Sequence, residues 1–93
     1  MTYNPPSPEE LQRLKDELGL SSAQMADLFG LSSGRHWRSY TEKGNPRSIS
    51  AQTLFFGLAR LELSDAELTR VTARMRRVGA SIDLSAAGGE QEQ

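Results

Sequence analysis

Apolar residues recur at helical spacing in five separated runs, and polar, glycine-containing or proline-containing stretches divide them. The first run, Leu11, Leu14 and Leu18, follows Ser7-Pro8-Glu9-Glu10, which supplies an N-cap serine, a proline at the first helical position and a glutamate at N3. Gly19 provides the left-handed residue that ends it, so the pattern predicts a helix over 8–18. Ser21-Ser22-Ala23-Gln24 repeats the capping pattern ahead of Met25, Ala26, Leu28 and Phe29, and Gly30 stops a short second helix over 22–29. Leu31 anchors the next segment, where Ser32 and Ser33 offer caps for a third helix running to about Thr41, with Trp37 and Tyr40 one turn apart. Glu42-Lys43-Gly44-Asn45-Pro46 is loop chemistry, because proline blocks continuation of the helix. Ser48 or Ser50 caps a fourth helix over 51–62 with Leu54, Phe55, Leu58 and Leu61 on its apolar side, a stripe on which Phe56 and Gly57 find no place. Ser64-Asp65-Ala66-Glu67 opens a fifth, with Leu68, Val71, Met75 and Val78 inward and Gly79 as its end. No strand-like alternation or internal repeat interrupts this pattern, so the expected class is all-α, a five-helix bundle.

Ninety-three residues suffice for one core but not two. The expected organisation is a flexible N-terminus over 1–7, a domain over 8–79 whose C-terminal helices serve dimerisation, and a disordered tail over 80–93 rich in glycine and polar residues. Cysteine is absent, which excludes disulfides and thiolate metal sites and agrees with a reducing cytoplasm. A single histidine, His36, cannot build a multi-histidine centre, and neither metal nor cofactor is expected. No run is long enough to span a bilayer, and residues 1–7 lack the character of a signal peptide, so no membrane association is expected.

The formal net charge of −1 argues against nucleic acid as a partner, but its distribution changes the picture. Acidic residues gather at Glu9, Glu10, Asp16 and Glu17 and in the tail at Asp83, Glu90 and Glu92, whereas Arg35, Arg38, Lys43 and Arg47 fall close together with only Glu42 opposing them. Arg70, Arg74, Arg76 and Arg77 form a second basic group on the fifth helix, readable as a solvated face, as a phosphate contact or as part of a dimer seam.

A capped short helix, a glycine turn and a second short helix with a polar, basic outer face carry a physical logic: steep crossing needs a tight turn and a small residue, here Ala26, where the backbones approach. Through Leu20-Ser21, Met25-Ala26 and Gly30-Leu31-Ser32 the chain resembles the helix-turn-helix of the Cro and phage-repressor (XRE-like) family over about Glu10 to Leu63, and it is similar to small phage-borne regulators, including anti-CRISPR-associated repressors. Trp37 takes the place of that family's apolar recognition-helix anchor one residue later than usual, and Gly34 stands where a base-reading side chain is frequent, which leaves the register open by one residue. The resemblance implies a lambda-repressor-like fold and a sequence-specific regulator, a homodimeric repressor of a phage or mobile-element operon that binds an inverted repeat in double-stranded DNA.

With Trp37 and Tyr40 turned inward, helical geometry places Arg35, Arg38 and Ser39 on the outer face, flanked by Gly34 and His36, with Ser33 at the helix start; these six are the expected base-reading set. Arginine can donate two parallel bonds to guanine, and Arg35 and Arg38 lead on that ground. Ser21, Ser22, Lys43, Asn45 and Arg47 are the expected phosphate contacts, although simple capping accounts for the serines equally well. Arginines on a short helix otherwise mark only a solvated face, and the same scaffold serves as a protein-interaction module of antitoxin or inhibitor type. No paired carboxylates, phosphate loop or nucleophile and base set suggests an enzyme.

Overall fold

Each of the five predicted runs forms a helix. The computed structural model describes residues 1–85, and the elements among them are α1 (Pro8–Leu18), α2 (Ser22–Leu28), α3 (Gly34–Ser39), α4 (Ala51–Glu62) and α5 (Asp65–Arg77). The described residues contain no strand, and the protein is all-α.

The helix ends follow from local chemistry. In α1, α2 and α5 the N-cap serine (Ser7, Ser21, Ser64) accepts from the N3 amide at 3.1 Å, while the N3 side chain (Glu10, Gln24, Glu67) accepts from the serine's own N–H at 2.8 Å. The two bonds from Ser7, its N–H first and then its hydroxyl, hold the Glu10 carboxyl below the usual carboxylate range. The same three helices close with paired bonds of the Schellman type: Leu20 N–H to Lys15 O and Gly19 N–H to Asp16 O, Leu31 N–H to Ala26 O and Gly30 N–H to Asp27 O, Ala80 N–H to Met75 O and Gly79 N–H to Arg76 O. At the second of these ends Gly30 sits at φ 72°, a conformation any side chain would strain.

The third helix is shorter than its sequence pattern. Ser33, not Ser32, caps it through a 3.4 Å bond from the His36 amide, and the segment expected to reach Thr41 tightens into turns in which Tyr40 N–H meets Trp37 O and Thr41 N–H meets Arg38 O. Of the two serines offered for α4, Ser50 caps it.

The core is built from α1, α2, α3 and the segment entering α4: Leu11, Met25, Ala26, Phe29, Leu31, Trp37, Tyr40 and Ile49 are buried. Trp37 is its centre, with the Phe29 ring 5.2 Å away and the Tyr40 ring edge-on at 6.0 Å.

The inward faces of the last two helices differ from the periodic expectation. The face α4 turns to the core carries Leu54, as the stripe predicts, together with Gly57, whereas Phe55, Leu58 and Leu61 are exposed, Phe55 to 77%, and Phe56 is half-buried. The reason is space: the Phe29 ring lies where a Cβ of residue 57 would be, and Phe56 lies 3.0 Å from the position of a Cβ on Gly30. No residue of α5 is buried; Leu68 and Met75 are half-buried, and Val71 and Val78, expected inside, are exposed. Helical spacing identifies which residues share a face, but not whether anything covers that face.

Arg60 ties distant parts of the chain together. Its guanidinium donates to the carbonyls of Asp27 and Leu28 at 2.8 Å, closing the end of α2, and to the carbonyl of Leu84 at 2.9 Å, while lying 5.6 Å from the Phe56 ring centre. At the other terminus the Tyr3 hydroxyl donates to Ile49 O at 2.8 Å. Of the tail expected to be disordered, residues 86–93 lie outside the described residues. No helix among the described residues is long and apolar enough to cross a membrane.

Candidate nucleic-acid interface

The orientation of α3 is set by what it buries. Trp37 is fully enclosed and its Nε1 finds no hydrogen-bond partner among the described residues, so it holds the helix by packing alone. Tyr40 is buried one turn on. Burial, opposed in part by the positive charge of Arg47, holds its phenol above the ordinary tyrosine range. With these two inward, Arg35 and Arg38 project to solvent on the opposite side, one turn apart.

The remaining members of the expected base-reading set occupy different environments. Gly34 is half-buried where the start of α3 meets the start of α2: a Cβ there would come within 3.0 Å of the Ala23 backbone nitrogen. Its place in the fold is therefore to let two backbones approach. Ser33 is the N-cap, and its hydroxyl oxygen is occupied by the His36 amide. His36 is half-buried, with Nε2 3.2 Å from the Tyr40 hydroxyl. The Ser39 hydroxyl donates to His36 O at 2.6 Å, which uses its only hydrogen and leaves acceptor capacity alone. Two of the six, Arg35 and Arg38, are thus exposed.

The expected phosphate contacts fall into two groups. Ser21 is exposed but engaged in the capping box of α2, and Ser22 beside it is half-buried. Lys43, Asn45 and Arg47 are exposed in the loop after α3, and the Arg47 amide donates to Ser39 O at 2.8 Å, which fastens that end of the loop to the end of α3. Arg35, Arg38, Lys43 and Arg47 are therefore each exposed, on α3 or the loop that follows it, with Glu42, also exposed, as the acidic residue among them. No group of three or more metal-ligating side chains occurs among the described residues.

Three residues that position this surface were not singled out by pattern. Ile49 closes the core behind α3, Gly57 admits Phe29, and Arg60 caps α2 from another helix. Only Gly57 left a trace in the sequence, as a residue that fitted no stripe beside Phe56. The chain was compared with family models, curated proteins and solved structures, and none of the three comparisons returned a match.

Proposed function

We propose that this chain is a sequence-specific DNA-binding regulator of the cytoplasm, in which α2, the Gly30 turn and α3 act as a helix-turn-helix and α3 enters the major groove. The observation that carries the reading is the pairing of an anchored inner face, Trp37 and Tyr40, with an exposed outer face bearing Arg35 and Arg38. That pairing supports a rigid element presenting two bidentate donors to base edges. Lys43, Asn45 and Arg47 follow α3 where a groove-bound helix would meet the sugar-phosphate backbone. Two copies reading an inverted repeat would act as a repressor by occupying a promoter.

The test separates reading from gripping. A preferred duplex is selected from a random-sequence pool, and salt titrations are run on it and on a scrambled duplex. Arg35→Ala costs about 1 to 3 kcal/mol on the preferred sequence and far less on the scrambled one, because a base contact is lost. Lys43→Ala weakens both alike and lowers the salt slope by about one unit, the signature of one lost phosphate contact. Failure of the unaltered protein to enrich any sequence would remove the regulator reading. A second reading, a protein-interaction module, is favoured by the exposed apolar residues Phe55, Val71 and Val78, and absence of salt-dependent DNA binding would leave it standing.

A further inference from the structure

A groove of about 410 Å³ runs between α4 and α5, walled by Phe55, Phe56, Ala59, Leu63, Val71 and Met75. Small-molecule clefts hold about 300 to 1,000 Å³ and combine apolar and aromatic walls with a few placed polar groups. On the α5 side Leu68 and Met75 are half-buried and Val71 is exposed, and Phe55 stands exposed at the lip. Among the described residues lining the groove, Arg60 carries the only charged side chain.

Arg60 has hydrogen-bonding capacity left over. A guanidinium carries five N–H bonds. Nη1 uses both of its hydrogens on Asp27 O and Leu28 O, and Nη2 uses one on Leu84 O. The Nε hydrogen and the second Nη2 hydrogen meet no acceptor among the described residues, and the three acceptors that are engaged are neutral carbonyls, so a half-buried positive charge lacks a carboxylate partner there. The group lies 5.6 Å from the Phe56 ring centre and is tied to Leu84, and both of those residues line the groove. Nε and Nη2 are neighbouring nitrogens, with the spacing that takes the two oxygens of one carboxylate. From Arg60 back to Gln52 the groove follows α4 for about 12 Å at 1.5 Å per residue, which suits an extended chain.

We propose that this groove binds a hydrophobic carboxylate, an unbranched acyl chain of intermediate length lying between α4 and α5 with its headgroup on Arg60. Burial of the chain supplies affinity, and the charge-assisted pair on Arg60 selects an anionic head over a neutral or cationic one. The site uses no residue of α3 and its test uses no DNA, so it stands or falls apart from the DNA-binding reading.

The experiment is a calorimetric titration of the full chain with three probes of equal chain length: decanoate, decanol and decylammonium. Decanoate binds one per chain, decanol about tenfold more weakly, and decylammonium more weakly still. R60M lowers the affinity for decanoate to that for decanol. Because Arg60 also closes the end of α2, a second variant leaves it alone: V71E sets a carboxylate against the groove from the exposed side of α5, weakens decanoate by about tenfold and strengthens decylammonium. R70Q and R74Q, which alter α5 arginines that do not line the groove, keep the preference for decanoate. Equal binding of decanoate and decanol, a preference for decanoate that survives in R60M, or its loss in R70Q or R74Q instead overturns the proposal. So does failure of the unaltered chain to bind decanoate, the result expected if a second copy or another protein fills the groove.

Discussion

A methyl group on Gly57 would occupy space that the Phe29 ring already fills. Two effects compete in Gly57→Ala: alanine is favoured over glycine in a helix by about 1 kcal/mol, and overpacking a tight core costs about 1 to 3 kcal/mol. Because the obstruction is a fully enclosed aromatic ring next to Trp37, overpacking wins and the melting temperature falls. Adding Phe29→Leu to Gly57→Ala recovers part of the loss, and a single Gly57→Ala chain that melts higher than the parent would refute the close approach. Tyr40 supplies a pH dependence. Burial raises its phenol above the ordinary value, so the folded state favours the protonated form. The stability this contributes is complete below the unfolded value of about 10 and is lost as pH rises through the higher folded value. Melting temperatures therefore decline on the alkaline side. Tyr3 is raised by burial too, so Tyr40→Phe makes that decline shallower without abolishing it. An unchanged alkaline slope in Tyr40→Phe would show that Tyr40 does not titrate differently on folding.

At the level of elements, serines, glycines and their third neighbours determine where α1, α2 and α5 begin and end, and those boundaries were legible because every bond involved is local. Arg60 is the contrasting case. Its acceptors, Asp27 O, Leu28 O and Leu84 O, lie 33, 32 and 24 residues away, and no pattern along α4 marks it. Arg60→Met keeps the aliphatic stem and removes the donors. It is expected to destabilise the fold by about 1 to 3 kcal/mol, as for carbonyls that lose their partners. Amide exchange at residues following Gly79 should also quicken, because Leu84 loses its link to α4. Unchanged exchange there would mean that the Leu84 contact contributes nothing to holding this segment. The length of α3 shows the same division: a serine cap was legible to within one residue, but tightening of Tyr40 and Thr41 into turns accompanies burial of Tyr40 against Trp37.

Over the whole molecule, a net charge of −1 conceals two exposed basic groups, one on α3 and its loop and one on α5. One region, α3 and its loop, presents Arg35, Arg38, Lys43 and Arg47; another, on α4 and α5, presents Phe55, Leu58, Val71 and Val78. The proposed salt-dependent contact with DNA uses the first of these regions. Within the candidate DNA-facing set, exposure of Arg35 and Arg38 was legible from their offset from Trp37 and Tyr40. The engagement of Ser33, His36 and Ser39 in bonds within α3 was not, since the same spacing allows a side chain either to turn outward or to fold back on its own helix.

The sequence by itself determined the all-α class, the existence of five helices, the N-caps of α1, α2 and α5 and the inward placement of Trp37 and Tyr40, because capping bonds and helical periodicity act over three or four residues. Only the tertiary structure decided which faces of α4 and α5 are covered. With the Phe29 ring lying where residue 57 would carry a Cβ, α4 turns Gly57 inward beside Leu54 and leaves Phe55 outside. The core built around Trp37 takes in no residue of α5, so a stripe that reads as interior along the chain remains surface in the single folded copy.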